Sequence, residues 1–219
     1  MSVAETATAN GTSGLQASFT ISITVSGTNP VLIVGSVLHS VTATFNAPSW
    51  SLGGGTPTEI KNIRGTTGVF TSIWAIPAPT GGAGTLTVNP STSVLCGGNA
   101  TNYSGADQAT PCPTGDAVTS TSTGAATTLT PTNLTASDAT YAMGANIVAG
   151  NWSSATPNQR ALDNTDDPGY LVGDATGTTG VTLNSDGGLT AGDVAMAGVR
   201  IVSAAAAADT STPMLNFIL

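Results

Sequence analysis

The residues that could bind a metal or catalyse a reaction are few in this chain of 219 residues, and the densest group is acidic. The segment LDNTDDPGY brings Asp163, Asp166 and Asp167 close together along the chain. Carboxylates and loop carbonyls are the ligands that Ca²⁺ prefers. The ligand spacing and central glycine of an EF-hand are missing, so a solvated polar turn is the alternative to a calcium site. No other cofactor is expected.

His39 is the single histidine and follows the apolar run VGSVL. A Ser-His-Asp relay needs an activated nucleophile, but the chain has no GxSxG segment or similar context. We interpret His39 as a strand-end residue. Two carboxylates could cleave a glycosidic bond, but the predicted loops carry few aromatic residues to stack on a sugar. We therefore expect no catalytic residues and predict that the protein is not an enzyme.

The two cysteines, Cys96 and Cys112, bracket a polar, glycine-rich segment. An even pair around one loop predicts a disulfide bond. Closing that loop would contribute about 3 kcal/mol by restricting the unfolded chain. The alternative is two unpaired thiols, because a protein assembled in a cytoplasm stays reduced until release.

Two of the three tryptophans lie beside predicted turns, Trp50 in APSWSLGGG and Trp152 in AGNWSS. A tryptophan at a turn can stack on a sugar or on a partner protein, so both are candidate binding residues. Packing in the core is the alternative for each. Trp74 lies within the apolar run VFTSIWAI and is expected in the core.

The composition excludes some partners. Charged residues make up 7% of the chain, and the net charge is -8 with only four basic residues. Such a protein repels a phosphate backbone, so nucleic-acid binding is not expected. No apolar run reaches the roughly 18 residues of a membrane span. The first residues lack the basic and apolar regions of a signal peptide, which indicates a trimmed signal or synthesis in a cytoplasm.

Short alternating runs of Val, Ile, Thr and aromatic residues, broken by Gly, Pro, Asn and Asp, predict β-strands throughout. In SFTISITV the apolar residues occupy every second position, and PVLIVGSVL is a continuous apolar run typical of a central strand. We predict an all-β, two-sheet antiparallel sandwich of about ten to twelve strands, jelly-roll-like, with no internal repeat. The expected core includes Phe19, Ile21, Ile23, Leu32, Val34, Phe45, Ile73, Ala195 and Val199.

The predicted domain organisation is an N-terminal tail at 1–13, one sandwich at 14–206 and a C-terminal tail at 207–219. The second tail combines a polar hinge, AADTSTP, with the apolar segment MLNFIL. Its candidate binding residues are Met214, Leu215, Phe217, Ile218 and Leu219. An exposed apolar strand would aggregate, so we expect it to dock on a neighbouring subunit, with folding back onto its own sandwich as the alternative.

Two segments, SIWAIPAPTGGAGTLTV and NYSGADQATPC, carry a resemblance to a known module. They resemble a β-sandwich module of tailed-phage (bacteriophage) structural and decoration proteins and of large secreted bacterial surface proteins. The resemblance covers roughly residues 13 to 205. It implies a jelly-roll-like sandwich used for display, adhesion or particle decoration, and it brings no catalytic residues. Cys112 and the segment STPMLNFIL are departures from the module.

Together these observations predict a structural protein of the virion surface, either a capsid decoration protein or a repeated shell or tail element. Its partners would be copies of itself, as a homo-oligomer, and other virion proteins. The alternative is a carbohydrate-binding or adhesive module of an extracellular protein or filament, with surface glycans as its ligand.

Overall fold

The chain folds almost wholly into antiparallel β-structure, which confirms the predicted fold class. The computed structural model describes residues 1–121, 125–147, 152–165, 167–185 and 194–205. These residues form sixteen strands and a short 3-10 helix, Thr114–Asp116. The strands are β1 Ala4–Gln16, β2 Phe19–Val25, β3 Val31–His39, β4 Ser49–Trp50, β5 Thr58–Arg64, β6 Val69–Pro77, β7 Gly82–Val88, β8 Val94–Ser104, β9 Val118–Ser120, β10 Ala126–Leu129, β11 Ala139–Asn146, β12 Trp152–Thr156, β13 Asn158–Asp163, β14 Gly169–Thr176, β15 Val181–Ser185 and β16 Val194–Ile201.

The strands divide into two halves of eight with the same topology. In the N-terminal half, a five-stranded sheet has the order β1-β8-β3-β6-β5 and a three-stranded sheet has the order β2-β7-β4. The C-terminal half has the orders β9-β16-β11-β14-β13 and β10-β15-β12, so each strand corresponds to the one eight places earlier. Each half is jelly-roll-like, except that its fifth strand pairs with its sixth. This internal duplication was not predicted from the sequence.

The halves stack through their five-stranded sheets, giving four layers where the sequence predicts two. A central hydrophobic cluster joins residues of both five-stranded sheets, including Ile33 and Val199. Two outer clusters lie between the large and small sheets of each half. Because each inner sheet is covered on both faces, its central strands, such as β3, β11 and β16, are buried along nearly their whole length.

Alternation along the strands distributes side chains between these clusters. Val31, Ile33 and Val37 of β3 belong to the central cluster, whereas Leu32 and Leu38 point the other way into the N-terminal outer cluster. All nine predicted core residues are buried, with relative exposures of 7% or less. The buried and exposed positions of β2 alternate as its sequence predicts.

The two inner sheets approach closely at Gly35 of β3. A β-carbon at this position would lie 2.3 Å from the hydroxyl oxygen of Tyr141 and 2.5 Å from the sulfur of Met143. Both side chains belong to β11 in the other half. The absence of a side chain at Gly35 therefore permits the contact between the halves.

The predicted N-terminal tail is wrong for most of its length. Residues 4–13 belong to β1, which pairs with β8 along the edge of the inner sheet. The segment AETATANGTSG contains no large apolar residue and so gives no strand signal of its own. Its hydrogen bonds instead come from a partner strand that is equally rich in small polar residues. The predicted C-terminal tail, 207–219, lies outside the described residues.

Candidate functional site

The described residues of the acidic segment, Asp163 and Asp167, do not form a metal-binding cluster. Asp167 pairs with His39, and Asp163 accepts hydrogen bonds from the backbone N–H and hydroxyl of Thr165 at 3.0 and 2.8 Å. Asp166 lies outside the described residues. In the described part of the chain, no group of three histidine, cysteine or acidic residues could hold a metal ion. The calcium site therefore stays a prediction.

His39 connects the two halves. Its Nδ1 lies 2.9 Å from Oδ2 of Asp167, which precedes β14, while His39 itself ends β3. Both side chains are about one-third exposed, at 29% and 36%. The geometry is that of a partly exposed polar link between the halves.

The predicted disulfide between Cys96 and Cys112 is wrong, since both cysteines are free and buried. Cys96 lies on β8 and points into the N-terminal outer cluster, whereas Cys112 packs in the central cluster. The thiol on β8 and the thiol in the loop after it therefore lie in different cores. Burial raises the pKa of Cys96 to about 11 and raises that of Cys112 further, so both remain thiols at neutral pH.

Trp50 and Trp152 are not exposed binding residues in the described structure. They are 7% and 2% exposed, and each lies in the outer cluster of its own half. Trp50 Nε1 donates to the carbonyl of Thr80 at 3.0 Å, and Trp152 Nε1 donates to that of Gly169 at 3.4 Å. Trp74, expected in the core, is half-buried against the N-terminal outer cluster.

The two tryptophans occupy corresponding strands, β4 and β12, and each ring lies against a glycine. The ring of Trp50 covers Gly84, and that of Trp152 covers Gly144. Trp-Ser followed by Thr-Pro occurs in both halves, at 50–51 with 56–57 and at 152–153 with 156–157. This pair of dipeptides is the sequence signal that could have revealed the duplication.

A partly buried ionic network, which the sequence did not predict, links β1, β8, β13 and β14. The Tyr103 hydroxyl donates to Oδ2 of Asp174 at 3.1 Å, and Nε of Arg160 lies 2.8 Å from the same oxygen. Arg160 also pairs with Glu5 at 3.1 Å. Burial alone would lower the pKa of Arg160, but the two carboxylates outweigh it and raise that pKa. This network joins the N-terminal strand to the opposite half.

A second network surrounds Arg200 of β16. Its Nε donates to Oδ2 of Asp138 at 2.9 Å, and its Nη1 donates to Oδ2 of Asp116 at 2.8 Å. Burial by itself would raise the pKa of Asp138. Hydrogen bonds from the backbone N–H groups of Ser203 and Thr135, together with Arg200, outweigh burial and hold that pKa below its ordinary value. The cluster fixes β16 and the segment that follows it.

A third set of polar contacts is formed by tyrosine hydroxyls that donate hydrogen bonds between the inner sheets. Tyr141 donates to Oδ1 of Asn99 at 3.2 Å, and Tyr170 donates to the carbonyl of Gly98 at 3.1 Å. Burial raises the pKa of both phenols. Because these donors reach across the central layer, they stabilise one alignment of the halves.

An apolar cavity of about 230 Å³ lies beside β5 and β6, beneath the loop that connects β8 to the 3-10 helix. The loop is held by Asp107, whose Oδ1 accepts hydrogen bonds from the backbone N–H groups of Ala109 and Thr110 at 2.9 and 2.7 Å. The apolar residues of its lining include Ile60, Ala75, Pro77, Pro111, Cys112 and Pro113. Thr58, Thr110 and Thr114 add hydroxyl groups to this lining, which contains no charged side chain, so the cavity suits a mainly apolar group.

Comparison with protein-family models, curated proteins and solved structures found no match. Among the described residues, no helix has the length and apolar character needed to cross a membrane. The predicted binding residues Met214, Leu215, Phe217, Ile218 and Leu219 lie outside the described residues.

Proposed function

We propose that the protein is a structural subunit of a virus particle's outer surface, a capsid decoration protein or a repeated shell or tail element that acts by self-assembly. The observation that carries the proposal is the stacking of two jelly-roll-like units about one central core. A rigid block with a fixed relation between two like units suits a component that is repeated in a shell. Jelly rolls are common in viral capsids, although lectins and enzymes use them as well.

The contacts of the arginine side chains also support a structural role. Arg160 and Arg200 are committed to ionic contacts that fix strands and join the halves. Arg64 donates to the carbonyls of Ser40 and Ala43, and its guanidinium lies over the ring of Phe70. The hydrogen bonds and ion pairs of these groups are thus made within the protein, where they serve its rigidity. The resemblance to phage decoration modules agrees with this proposal.

The burial of Trp50 and Trp152 removes the main support for a carbohydrate-binding function. That alternative depended on Trp50 and Trp152 as stacking platforms, and both rings are packed in outer cores. A sugar needs an accessible aromatic face to stack upon. The virion-surface proposal does not depend on these rings.

The experiment is sedimentation velocity of the full chain over a thousandfold range of concentration, combined with negative-stain electron microscopy. We expect discrete large assemblies of uniform shape at high concentration. Glycan-array binding is measured on the same sample as the competing readout. A chain that stays monomeric throughout and binds a defined glycan would overturn the proposal in favour of the adhesive module.

A further inference from the structure

We propose that the apolar cavity beside β5 and β6 is the receptor for segment 214–219 of a neighbouring copy of this chain. This inference rests on the proposed function and names the contact through which self-assembly occurs. The segment reads MLNFIL, with five apolar side chains in six residues. Such a segment needs a partner surface that excludes water.

The cavity has the chemistry and size to receive such side chains. Its volume is about 230 Å³, and its walls include Ile60, Ala75 and Pro77. An engineered protein cavity of about 150 Å³ holds benzene. The cavity therefore has enough volume for the phenyl ring of Phe217 and part of a neighbouring aliphatic side chain.

The walls are firm enough to act as a preformed receptor. Ile60 and Ala75 lie on paired strands of the inner sheet, and Ala75 is 1% exposed. Asp107 fixes the loop above them through two backbone N–H groups. A preformed site spares the ordering of its own side chains when the ligand binds.

The path of the chain favours a neighbouring copy over the same molecule. After β16, the N–H of Val202 donates to the carbonyl of Pro111 at 2.8 Å, which places the chain at the rim of the cavity. The residues that follow are small or polar, AAAADTSTP, and the first large apolar residue is Met214. The eight residues 206–213 span up to about 28 Å when extended. A spacer of this reach allows MLNFIL to leave its own molecule and enter the cavity of an adjacent copy.

Both segments that carry the resemblance contribute to the cavity. SIWAIPAPTGGAGTLTV supplies Ala75 and Pro77, and NYSGADQATPC supplies the loop up to Cys112. Their residues lie far apart in the sequence but line one concave surface. The cavity therefore gives these two segments a shared role that strand formation alone does not require.

The first test blocks the cavity from its rim. Thr110 is exposed and lines the cavity, so Thr110→Trp places an indole at its mouth without entering a core. Thr42→Trp is the matched control, because Thr42 is equally exposed and lies outside the lining. At concentrations where the wild type and Thr42→Trp assemble, Thr110→Trp should sediment as a monomer. Thermal unfolding of each variant confirms that it is folded.

The second test reads the contact directly in the full chain. The photoreactive amino acid p-benzoylphenylalanine replaces Phe217, and equal amounts of ¹⁵N-labelled and unlabelled protein are mixed before irradiation. We expect cross-links from position 217 to residues 109–114, half of them between one labelled and one unlabelled chain. Removal of 214–219 should abolish assembly but leave the fold intact.

The possible results separate the inference from the function on which it rests. Cross-links confined to single chains, or directed elsewhere, or normal assembly of Thr110→Trp, would overturn the cavity as receptor while assembly itself still supports the proposed function. A wild-type chain that never assembles would overturn both. Cross-links from one labelled chain to residues 109–114 of an unlabelled chain, or the reverse, support both the receptor and the proposed function if Thr110→Trp fails to assemble while Thr42→Trp assembles.

Discussion

Trp152→Ala tests whether the two halves unfold as one unit. Trp152 is 2% exposed, lies over Gly144 and anchors the C-terminal outer cluster. Truncating a buried tryptophan to alanine costs about 3–5 kcal/mol through lost burial and the cavity left behind. A domain of this size loses about 2–4 °C per kcal/mol, so the melting temperature should fall by about 6–20 °C.

The assay is differential scanning calorimetry, supported by circular dichroism. Because the central cluster contains residues of both halves, we expect a single transition that moves as a whole. Trp50→Ala, in the corresponding strand, should lower the same transition by a similar amount. Leu15→Ala is the control, since Leu15 is 72% exposed and its loss should cost under about 0.5 kcal/mol. Two separate transitions, of which each variant moves only one, would refute the shared central core.

Three further outcomes follow from the described contacts. Asp138→Asn should destabilise the protein by about 3 kcal/mol at pH 7, because it breaks a buried pair with Arg200. Since the folded-state pKa of Asp138 lies below its ordinary 3.8, urea titrations should show the stability difference between wild type and variant above about pH 4, and the difference should be lost as the pH falls further. Intact mass should be the same with and without reductant, and Cys96 and Cys112 should resist alkylation until the protein is denatured; a loss of two hydrogens per chain would contradict the free thiols. Gly35→Val should cost at least about 1–3 kcal/mol in a denaturant titration through overpacking between the inner sheets, and a neutral result would argue against their close approach.

The parts of the fold that could be predicted from the sequence are the strands with large apolar residues. Alternation in Phe19–Val25 and the continuous run Val31–His39 gave the correct strands, and the nine core residues predicted from such patterns are buried, whereas Trp74 is only half-buried. Strand β1 gave no such signal because its residues are small and polar. Its stability comes from pairing with β8, which no local pattern encodes.

The candidate site was harder to predict because side-chain direction depends on tertiary packing. The spacing of Cys96 and Cys112 does not reveal that one thiol faces an outer core and the other the central one. Proximity to turns suggested exposure for Trp50 and Trp152, yet the adjoining strands turn both rings inward. The cavity combines strands and a loop distant in sequence, so only the folded structure brings its walls together.

The placement of the basic residues has a consequence for proteolysis. Trypsin cuts after lysine and arginine, and the chain has four such residues. Lys61, Arg160 and Arg200 lie within β5, β13 and β16. Arg64 ends β5, and the N–H of Gly65 after it donates to the carbonyl of Val69 at 2.8 Å, so all four cleavage sites lie in hydrogen-bonded backbone. A protease needs an extended segment free of its sheet partners, and these become available only when strands separate. Tryptic digestion of this protein should therefore report the opening of its sheets and leave the closed molecule intact.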